Sequence, residues 1–178
     1  MPKVIMDSQT VARAVSRISN QILERNKGAK DLTVIGIRTR GIHIAERIVD
    51  RIEKLEGIQP PLGTLDITLY RDDFRRKSEW PSVRKSNITF SVEDKIVILV
   101  DDVVYTGRTT RAAIEAIMDY GRPSSIQLVA LVDRGHRELP IQADYVGIKV
   151  MTQQKEQVKV LLKETDGKDE VVVVEGEE

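Results

Sequence analysis

Two adjacent carboxylates follow a short apolar run in the sequence ILVDDVVYTGRT, which spans residues 98–109. Asp101 and Asp102 come directly after the run, and a hydroxyl-rich loop that contains Gly107 follows them. Carboxylates accept hydrogen bonds from diols or bind a metal ion, and the amides at the start of a helix bind an anion such as phosphate. These residues therefore predict a ligand that carries both hydroxyl groups and a phosphate.

Acid pairs at the end of a strand also occur in other kinds of site. A Walker-B carboxylate or a phospho-acceptor site would fit the acids, but the chain contains no G-x-x-x-x-G-K-[ST] sequence to supply a P-loop. No G-x-G-x-x-G sequence follows a predicted strand, which argues against a dinucleotide site. The remaining interpretation, acids that cap the next helix, accounts for one Asp and gives the residues from Thr106 to Thr110 no purpose.

A second polar loop follows the apolar run LTVIGI. It consists of Arg38, Thr39, Arg40 and Gly41. Guanidinium groups bind phosphate oxygens in pairs, and the amides at a helix start add to such a site, so this loop can hold a pyrophosphate. Arginine-rich turns are also often no more than surface charge, and the residues by themselves leave both interpretations open.

The hydrophobic pattern predicts helices and strands in alternation. Helical spacing covers 8–27, 42–56 and about 109–120, and continuous apolar runs predict strands at 32–37, 63–70, 95–100 and 126–132. Asp7 is a suitable N-cap, and Gly28, Gly57 and Gly121 follow the three helices. Buried strands that alternate with helices are typical of a parallel sheet with helices on both faces, so we expect an α/β fold.

The ligand of such a sheet lies at the carboxyl ends of the strands, so the loops after Ile37, Val100 and Val132 are expected to form the site. The polar segment 71–90 is long enough to be a lid, a binding arm or a disordered loop. Trp80 lies within it and is either a packing anchor or a functional residue. Apolar stretches at 144–150, 158–164 and 170–175 are expected to form edge strands or a small antiparallel addition.

Length and composition predict a single domain over residues 1–178. The absence of cysteine excludes disulfides and thiolate chemistry, and no stretch has the length of a membrane span, so we expect a soluble, cytoplasmic protein. Seven acids stand against one lysine from Glu164 onward, which leaves 27 basic and 21 acidic residues before it. This mildly basic body permits a polyanionic partner without requiring one.

The sequence from Val97 to Thr109 resembles the phosphoribosyl pyrophosphate (PRPP) signature of type I phosphoribosyltransferases. The residues concerned are Val97, Ile98, Leu99, Val100, Asp101, Asp102, Val103, Val104, Tyr105, Thr106, Gly107, Arg108 and Thr109. Further stretches resemble the PyrR family, namely ERNKG (24–28), TRGI (39–42), DITLYRDD (66–73), GRPSSIQL (121–128) and LVDRGHRELPI (131–141). The likeness covers nearly the whole chain and weakens across 74–92 and after about Lys149. It implies a parallel-sheet phosphoribosyltransferase core with a small hood.

The resemblance implies an activity and roles for the two polar loops. PyrR proteins have uracil phosphoribosyltransferase activity, which converts uracil and PRPP to UMP and pyrophosphate. Asp101 and Asp102 are then expected to bind the ribose hydroxyls and Mg²⁺, and residues 106–109 the 5-phosphate. Residues 38–41 are expected to hold the pyrophosphate, with Arg71 reaching it from the base of a lid. Val103, Asp133 and Arg134 are expected to contribute to the base pocket.

The resemblance also implies a regulatory role, because PyrR proteins control pyrimidine operons by binding their messenger RNA. The expected partners are thus PRPP, uracil, UMP and a leader RNA, and a homodimer or a higher homo-oligomer is expected. The positions implied for RNA binding are Arg17, Arg25, Thr39, His136 and Arg137, with Ser16 and Asn20 beside them. Asn20 stands where relatives often have His, and Gln142 where Arg is usual. A salvage enzyme without RNA regulation therefore remains an alternative, as does a purine or orotate phosphoribosyltransferase.

Overall fold

A computed structural model of the protein describes residues 1–71 and 86–176. The elements in chain order are β1 (Lys3–Met6), α1 (Ser8–Asn26), β2 (Leu32–Ile37), α2 (Arg40–Glu56), β3 (Leu62–Leu65), a 3-10 helix (Thr68–Tyr70), β4 (Ile96–Val104), α3 (Arg108–Met118), β5 (Ser125–Asp133), β6 (Tyr145–Lys149), β7 (Glu156–Leu161), α4 (Lys163–Asp166) and β8 (Glu170–Glu175). Most of the predicted lid, with Trp80, lies outside the described residues. Within the described ranges, no helix is long and apolar enough to cross a membrane.

Five parallel strands form the central sheet in the order β3-β2-β4-β5-β6. Alternate residues of β4 face opposite sides, as the pleat of a strand requires. Ile98 and Val100 belong to a core cluster shared with α1 and α2, whereas Val97 and Leu99 belong to one shared with α3. The predicted parallel sheet with helices on both faces is thus confirmed.

A second, antiparallel sheet has the strand order β1-β8-β7 and is called the small sheet below. The three apolar stretches were expected to form edge strands or a small antiparallel addition, and both occur. Strand β6 is an edge strand of the central sheet, whereas β7 and β8 belong to the small sheet. Strand β1 was not predicted. Its four residues are too few to show a periodic pattern, and its pairing with β8 joins the two ends of the chain.

Several predicted boundaries differ from the structure. The strand predicted at 63–70 ends at Leu65, because the Asp66 carboxylate accepts a hydrogen bond from the Thr68 amide at 2.9 Å and turns the chain. The strand predicted at 95–100 extends to Val104, because its last residues stay paired with β5.

The helix ends are closer to expectation. Asp7 caps α1 as predicted, accepting from the Thr10 amide at 2.8 Å, and Gly57 caps α2. The C-cap of α1 is Lys27, with φ of 54°, and not Gly28. The third helix ends at Met118, capped by Asp119, two residues before the predicted end.

Candidate active site

Asp101 and Asp102 lie in β4 near its carboxyl end, in unequal environments. Asp101 is only 6% exposed, whereas Asp102 is partly exposed. The Asp102 amide donates to Asp101 Oδ1 at 2.8 Å, and the Val103 amide donates to Asp102 Oδ1 at 2.9 Å. Burial, together with the adjacent carboxylate of Asp102, raises the pKa of Asp101 well above its ordinary value.

A cavity of about 560 Å³, called the main cavity below, opens beside the two acids. It is lined by Ile37, Arg38, Thr39, Asp66, Ile67, Thr68, Arg71, Asp101, Asp102, Val103 and Thr109. The cavity thus brings together residues from three of the predicted segments: the acid pair, the arginine-rich loop and the base of the lid. Arginines and acidic residues line one space, which suits a ligand with both phosphate and hydroxyl groups.

The loop after the acids leads directly into α3. Gly107 lies in the left-handed region with φ of 91°, where a side chain would be strained, and α3 begins at Arg108. The Thr106 carbonyl accepts from the amides of Glu138 (2.9 Å) and Leu139 (3.2 Å), which fixes the loop against the segment after β5. The first turn of α3 contains no acidic residue, which favours an anion at the helix start.

The arginine-rich loop forms the start of α2. Gly41 packs directly on β4, because a Cβ at this position would lie 2.6 Å from the Val100 carbonyl oxygen. Arg38 and Thr39 line the main cavity. The Arg40 side chain instead reaches α4, where its Nη2 and Nε atoms donate to the Asp166 carboxylate at 2.9 and 3.3 Å.

The residues predicted to bind the base are divided between two cavities. Val103 lines the main cavity, whereas Asp133 and Arg134 line a second one of about 360 Å³ together with His136. The buried Arg134 guanidinium lies 4.0 Å from the Tyr105 ring centroid and donates to the Glu156 carbonyl at 2.6 Å. Its side chain therefore ties β5 to Tyr105 and to β7.

The carboxylate of Asp133, the last residue of β5, holds the loop that follows the strand. It accepts from the Gly135 amide at 3.0 Å and from the Arg137 guanidinium at 2.7 Å. Partial burial opposes ionisation, but these two donors prevail and hold the pKa of Asp133 below its ordinary value. Arg137 also donates to the carbonyls of Ile141 (2.7 Å) and Tyr105 (2.8 Å), so its guanidinium is engaged within the loop.

The other residues predicted to bind RNA belong to α1, to the arginine-rich loop and to the segment after β5. Arg17 is exposed on α1 and donates to the Gly147 carbonyl at 2.5 Å, and the exposed Arg25 pairs with Asp144 at 2.8 Å. Exposed His136 contacts the Thr152 carbonyl at 2.6 Å. Thr39 lines the main cavity.

Two features of the site were missed by sequence reasoning, the Tyr105–Arg134 contact and the Arg40–Asp166 pair. The surplus of acids near the C-terminus was a signal for the Arg40–Asp166 pair, although the sequence did not indicate which basic residues those acids would pair with.

Comparison with known proteins agrees with these observations. The phosphoribosyl transferase domain family matches residues 3–173. The bifunctional protein PyrR of Pelotomaculum thermopropionicum is 55% identical over 171 residues, which cover 96% of this chain and 94% of that protein. The bifunctional protein PyrR of Enterococcus faecalis is 53% identical over 179 residues and the alignment covers both chains completely.

Solved structures support the fold. A hypoxanthine phosphoribosyltransferase of Trypanosoma cruzi aligns with a TM-score of 0.73 at 18% identity, covering 98% of this chain and 97% of that one. A hypoxanthine phosphoribosyltransferase of Staphylococcus aureus aligns with a TM-score of 0.70 at 19% identity, covering 97% and 92%. At these identities the likeness bears on the fold and not on the base that is used. The predicted type I phosphoribosyltransferase fold is confirmed, and the chain belongs to the phosphoribosyl transferase domain family and, within it, to the bifunctional PyrR proteins.

Proposed function

We propose that this chain transfers the phosphoribosyl group of PRPP to uracil and that UMP in the same site controls its binding to a pyrimidine-operon leader RNA. The observation that carries the first part is the main cavity, which is lined by Asp101 and Asp102 together with Arg38 and Arg71. Membership in the bifunctional PyrR group supports both parts.

The residues of the main cavity divide the recognition of PRPP among them. Asp101 and Asp102 accept hydrogen bonds from the ribose 2- and 3-hydroxyls, and the amides at the start of α3 hold the 5-phosphate. The pyrophosphate lies against Arg38 and Thr39, with Arg71 approaching from the base of the lid.

Transfer breaks the bond between the anomeric carbon and pyrophosphate and forms a bond from that carbon to uracil N1, which loses its proton. Positive charge develops on the sugar ring and negative charge on the leaving group, as in other glycosyl transfers. Arg38 and Arg71 stabilise the leaving charge by electrostatics, while the carboxylates favour the cationic ring. The proton of uracil is lost late, so no side chain is assigned as its base.

Asp101 and Asp102 fit a magnesium ion, because Mg²⁺ is typically bound by one or two carboxylates together with substrate phosphates and water. Within residues 1–71 and 86–176, no group of three or more His, Cys, Asp and Glu side chains is placed to hold a metal. The substrate oxygens would therefore complete the coordination. Bound Mg²⁺ would neutralise the charge of PRPP and of the departing pyrophosphate.

The base pocket lies between Val103 and the loop after β5. Uracil offers two acceptors and one donor, which main-chain groups near Asp133 and Arg134 can match without a charged side chain. The Arg134 side chain supports the pocket by packing on Tyr105 and not by contacting the base.

The enzymatic proposal is tested by incubating the protein with PRPP and Mg²⁺ and each of uracil, hypoxanthine and orotate, with release of pyrophosphate as the readout. We expect release with uracil and none above background with the other two bases. Release with hypoxanthine or orotate and none with uracil would contradict the assignment of the base.

The regulatory part of the proposal is carried by α1. Arg13 and Arg17 are both exposed and lie four residues apart, hence on one face of the helix, with Arg25 two turns further on. Pairing of two subunits about a twofold axis would join two such faces into one basic surface. Unpaired loops of a messenger suit that surface, because the bases of A-form RNA are hidden in a deep, narrow major groove.

UMP binds in the cavity beside Thr39, so it can couple to this surface with a free energy of roughly 1 to 3 kcal/mol. Titration of a labelled leader RNA should therefore show tighter binding with UMP by about 5- to 150-fold. The variant Arg17→Ala should weaken binding while uracil transfer stays at the parental rate. If the leader binds no better than a scrambled RNA, with or without UMP, the chain is a salvage enzyme without this regulation.

A further inference from the structure

The start of α2 is held in place without the usual cap. Its N-cap residue, Thr39, makes no side-chain hydrogen bond to the first turn. A capped helix start is typically about 1 kcal/mol more stable than an uncapped one, so other contacts must fix this end. The same end bears Arg38 and Thr39, which line the main cavity. What fixes the start of α2 therefore also fixes one wall of that cavity.

Two contacts that help to fix the start of α2 involve Gly41 and Arg40. One is the close packing of Gly41 on β4, described above. The other is the ion pair of Arg40 with Asp166, in which both oxygens of the carboxylate accept from the guanidinium. Paired hydrogen bonds of this kind fix the orientation of a guanidinium as well as its position.

Asp166 is itself firmly placed. Its Oδ2 atom also accepts from the Leu162 amide at 2.8 Å and from the Thr165 hydroxyl at 2.8 Å. The Asp166 side chain is 18% exposed and that of Arg40 is 35% exposed, so water screens the pair only in part. The carboxylate thus transmits the position of α4 to the first residue of α2.

A neighbouring ion pair gives a natural comparison. Arg47, two turns further along α2, pairs with Asp169 at 2.7 Å and with Glu164 at 2.6 Å. Asp169 is as buried as Asp166, with 15% of its side chain exposed. It holds the same helix to the same segment, but through Arg47, which lies two turns away from the residues that line the main cavity.

We propose that Asp166 is a positioning residue for phosphoribosyl transfer, which acts through Arg40 to fix the Arg38–Thr39 segment against the pyrophosphate group of PRPP. The inference rests on the proposed function and goes beyond it, because Asp166 lies in α4 and touches no substrate. In this proposal Arg40 has a different role from the residues that contact pyrophosphate directly. Arg40 anchors the loop, and Arg38 and Thr39 face the ligand.

The test compares Asp166→Asn with Asp169→Asn in the full chain, using calorimetric titrations with pyrophosphate and with UMP in the presence of Mg²⁺. UMP has the ribose, the 5-phosphate and the base but no pyrophosphate group. We expect Asp166→Asn to weaken pyrophosphate binding and to raise the KM for PRPP by about tenfold, the effect of one lost charged hydrogen bond. UMP affinity and the KM for uracil should remain within about twofold of the parent.

Asp169→Asn should match the parent in all of these measurements, and Asp166→Glu, which keeps the charge, should recover part of the pyrophosphate affinity. Equal behaviour of the two Asn variants would overturn the inference, and so would an equal loss of UMP and pyrophosphate affinity in Asp166→Asn, which indicates general loosening. If Asp166→Asn does not fold, Asp166→Ser, which also removes the charge, takes its place, and parental pyrophosphate affinity with an unchanged KM for PRPP in that variant would overturn the inference as well. A parent that neither binds pyrophosphate nor transfers to uracil would instead refute the proposed function, an outcome visible without any variant.

Discussion

At the residue scale, Asp101 and Asp102 have the same side chain but different environments. Both residues line the main cavity, but Asp102 is partly exposed. Asp101 is buried and has a raised pKa, which means that its ionised form is unfavourable in the folded chain. A protein gains nothing in stability from such a group, which favours a functional role over a structural one.

Replacing this carboxylate should therefore separate activity from stability. The folded state holds the Asp101 proton more tightly than the unfolded chain does, so ionisation above the ordinary pKa of 3.8 lowers stability. Asp101→Asn removes that cost and keeps an oxygen that can accept from the Asp102 amide. We expect a free energy of unfolding at neutral pH equal to or above that of the parent, measured by denaturant titration.

The same variant should lose transfer activity. Losing one charged hydrogen bond to the ribose costs about 1.5 to 3 kcal/mol, which corresponds to a roughly 10- to 150-fold fall in kcat/KM for PRPP. Asp102→Asn should show a loss of the same order. Parental kcat/KM in both variants would mean that the acid pair does not contact PRPP.

At the scale of elements, long periodic segments were predictable and pairings were not. The apolar positions of α1 and α2 repeat over four or more turns, so the sequence shows both helices. The end of β4 at Val104 depends on the pairing of Val103 with Val132 in β5, which no local pattern contains. The Arg40–Asp166 pair is hidden for the same reason, since its partners are 126 residues apart.

The site was predictable where one loop supplies its residues. The acid pair is one short run of the sequence and the arginine-rich loop is another, and residues of both line the main cavity. The base pocket was harder to predict from the sequence. Val103 and Asp133 lie near the carboxyl ends of the neighbouring strands β4 and β5, but they line different cavities.

The two ends of α2 allow a test of how the helix positions the cavity wall. In Gly41→Ala the new Cβ would meet the Val100 carbonyl oxygen at 2.6 Å, so the start of α2 must move away from β4. Gly57→Ala, at the other end, has open space but a φ of 72°, which costs about 1 to 2 kcal/mol of stability.

We expect both variants to be less stable and only Gly41→Ala to lose affinity for PRPP, by about tenfold or more in an equilibrium titration. Parental PRPP affinity in Gly41→Ala would show that the position of the helix start does not control the cavity.

At the scale of the whole molecule, the uneven charge of the sequence has a structural use. The acids near the C-terminus lie against basic residues of α2, since Asp166 pairs with Arg40 while Glu164 and Asp169 pair with Arg47. The pairs join the segment between β7 and β8 to α2, and the small sheet also includes the chain's first strand. These ion pairs should respond to pH, because they need ionised carboxylates.

Acid should remove the contribution of these pairs to stability. Hydrogen bonds from Arg40 hold the pKa of Asp166 at about 2, below its ordinary value of 3.8, and those from Arg47 lower the pKa of Glu164. Burial opposes the ionisation of Asp169, but hydrogen bonds from Arg47 and the Lys163 amide still hold its pKa below the ordinary value. A lowered carboxyl pKa gives stability that is complete above the unfolded value and is lost as pH falls through the folded one. The free energy of unfolding of the parent should thus exceed that of Asp166→Asn by a constant amount above about pH 5, and the difference should shrink towards zero near pH 2. Denaturant titrations of both proteins across this range measure it. A difference that stays the same from neutral pH down to about pH 2 would show that Asp166 stabilises the chain by packing and not by its charge.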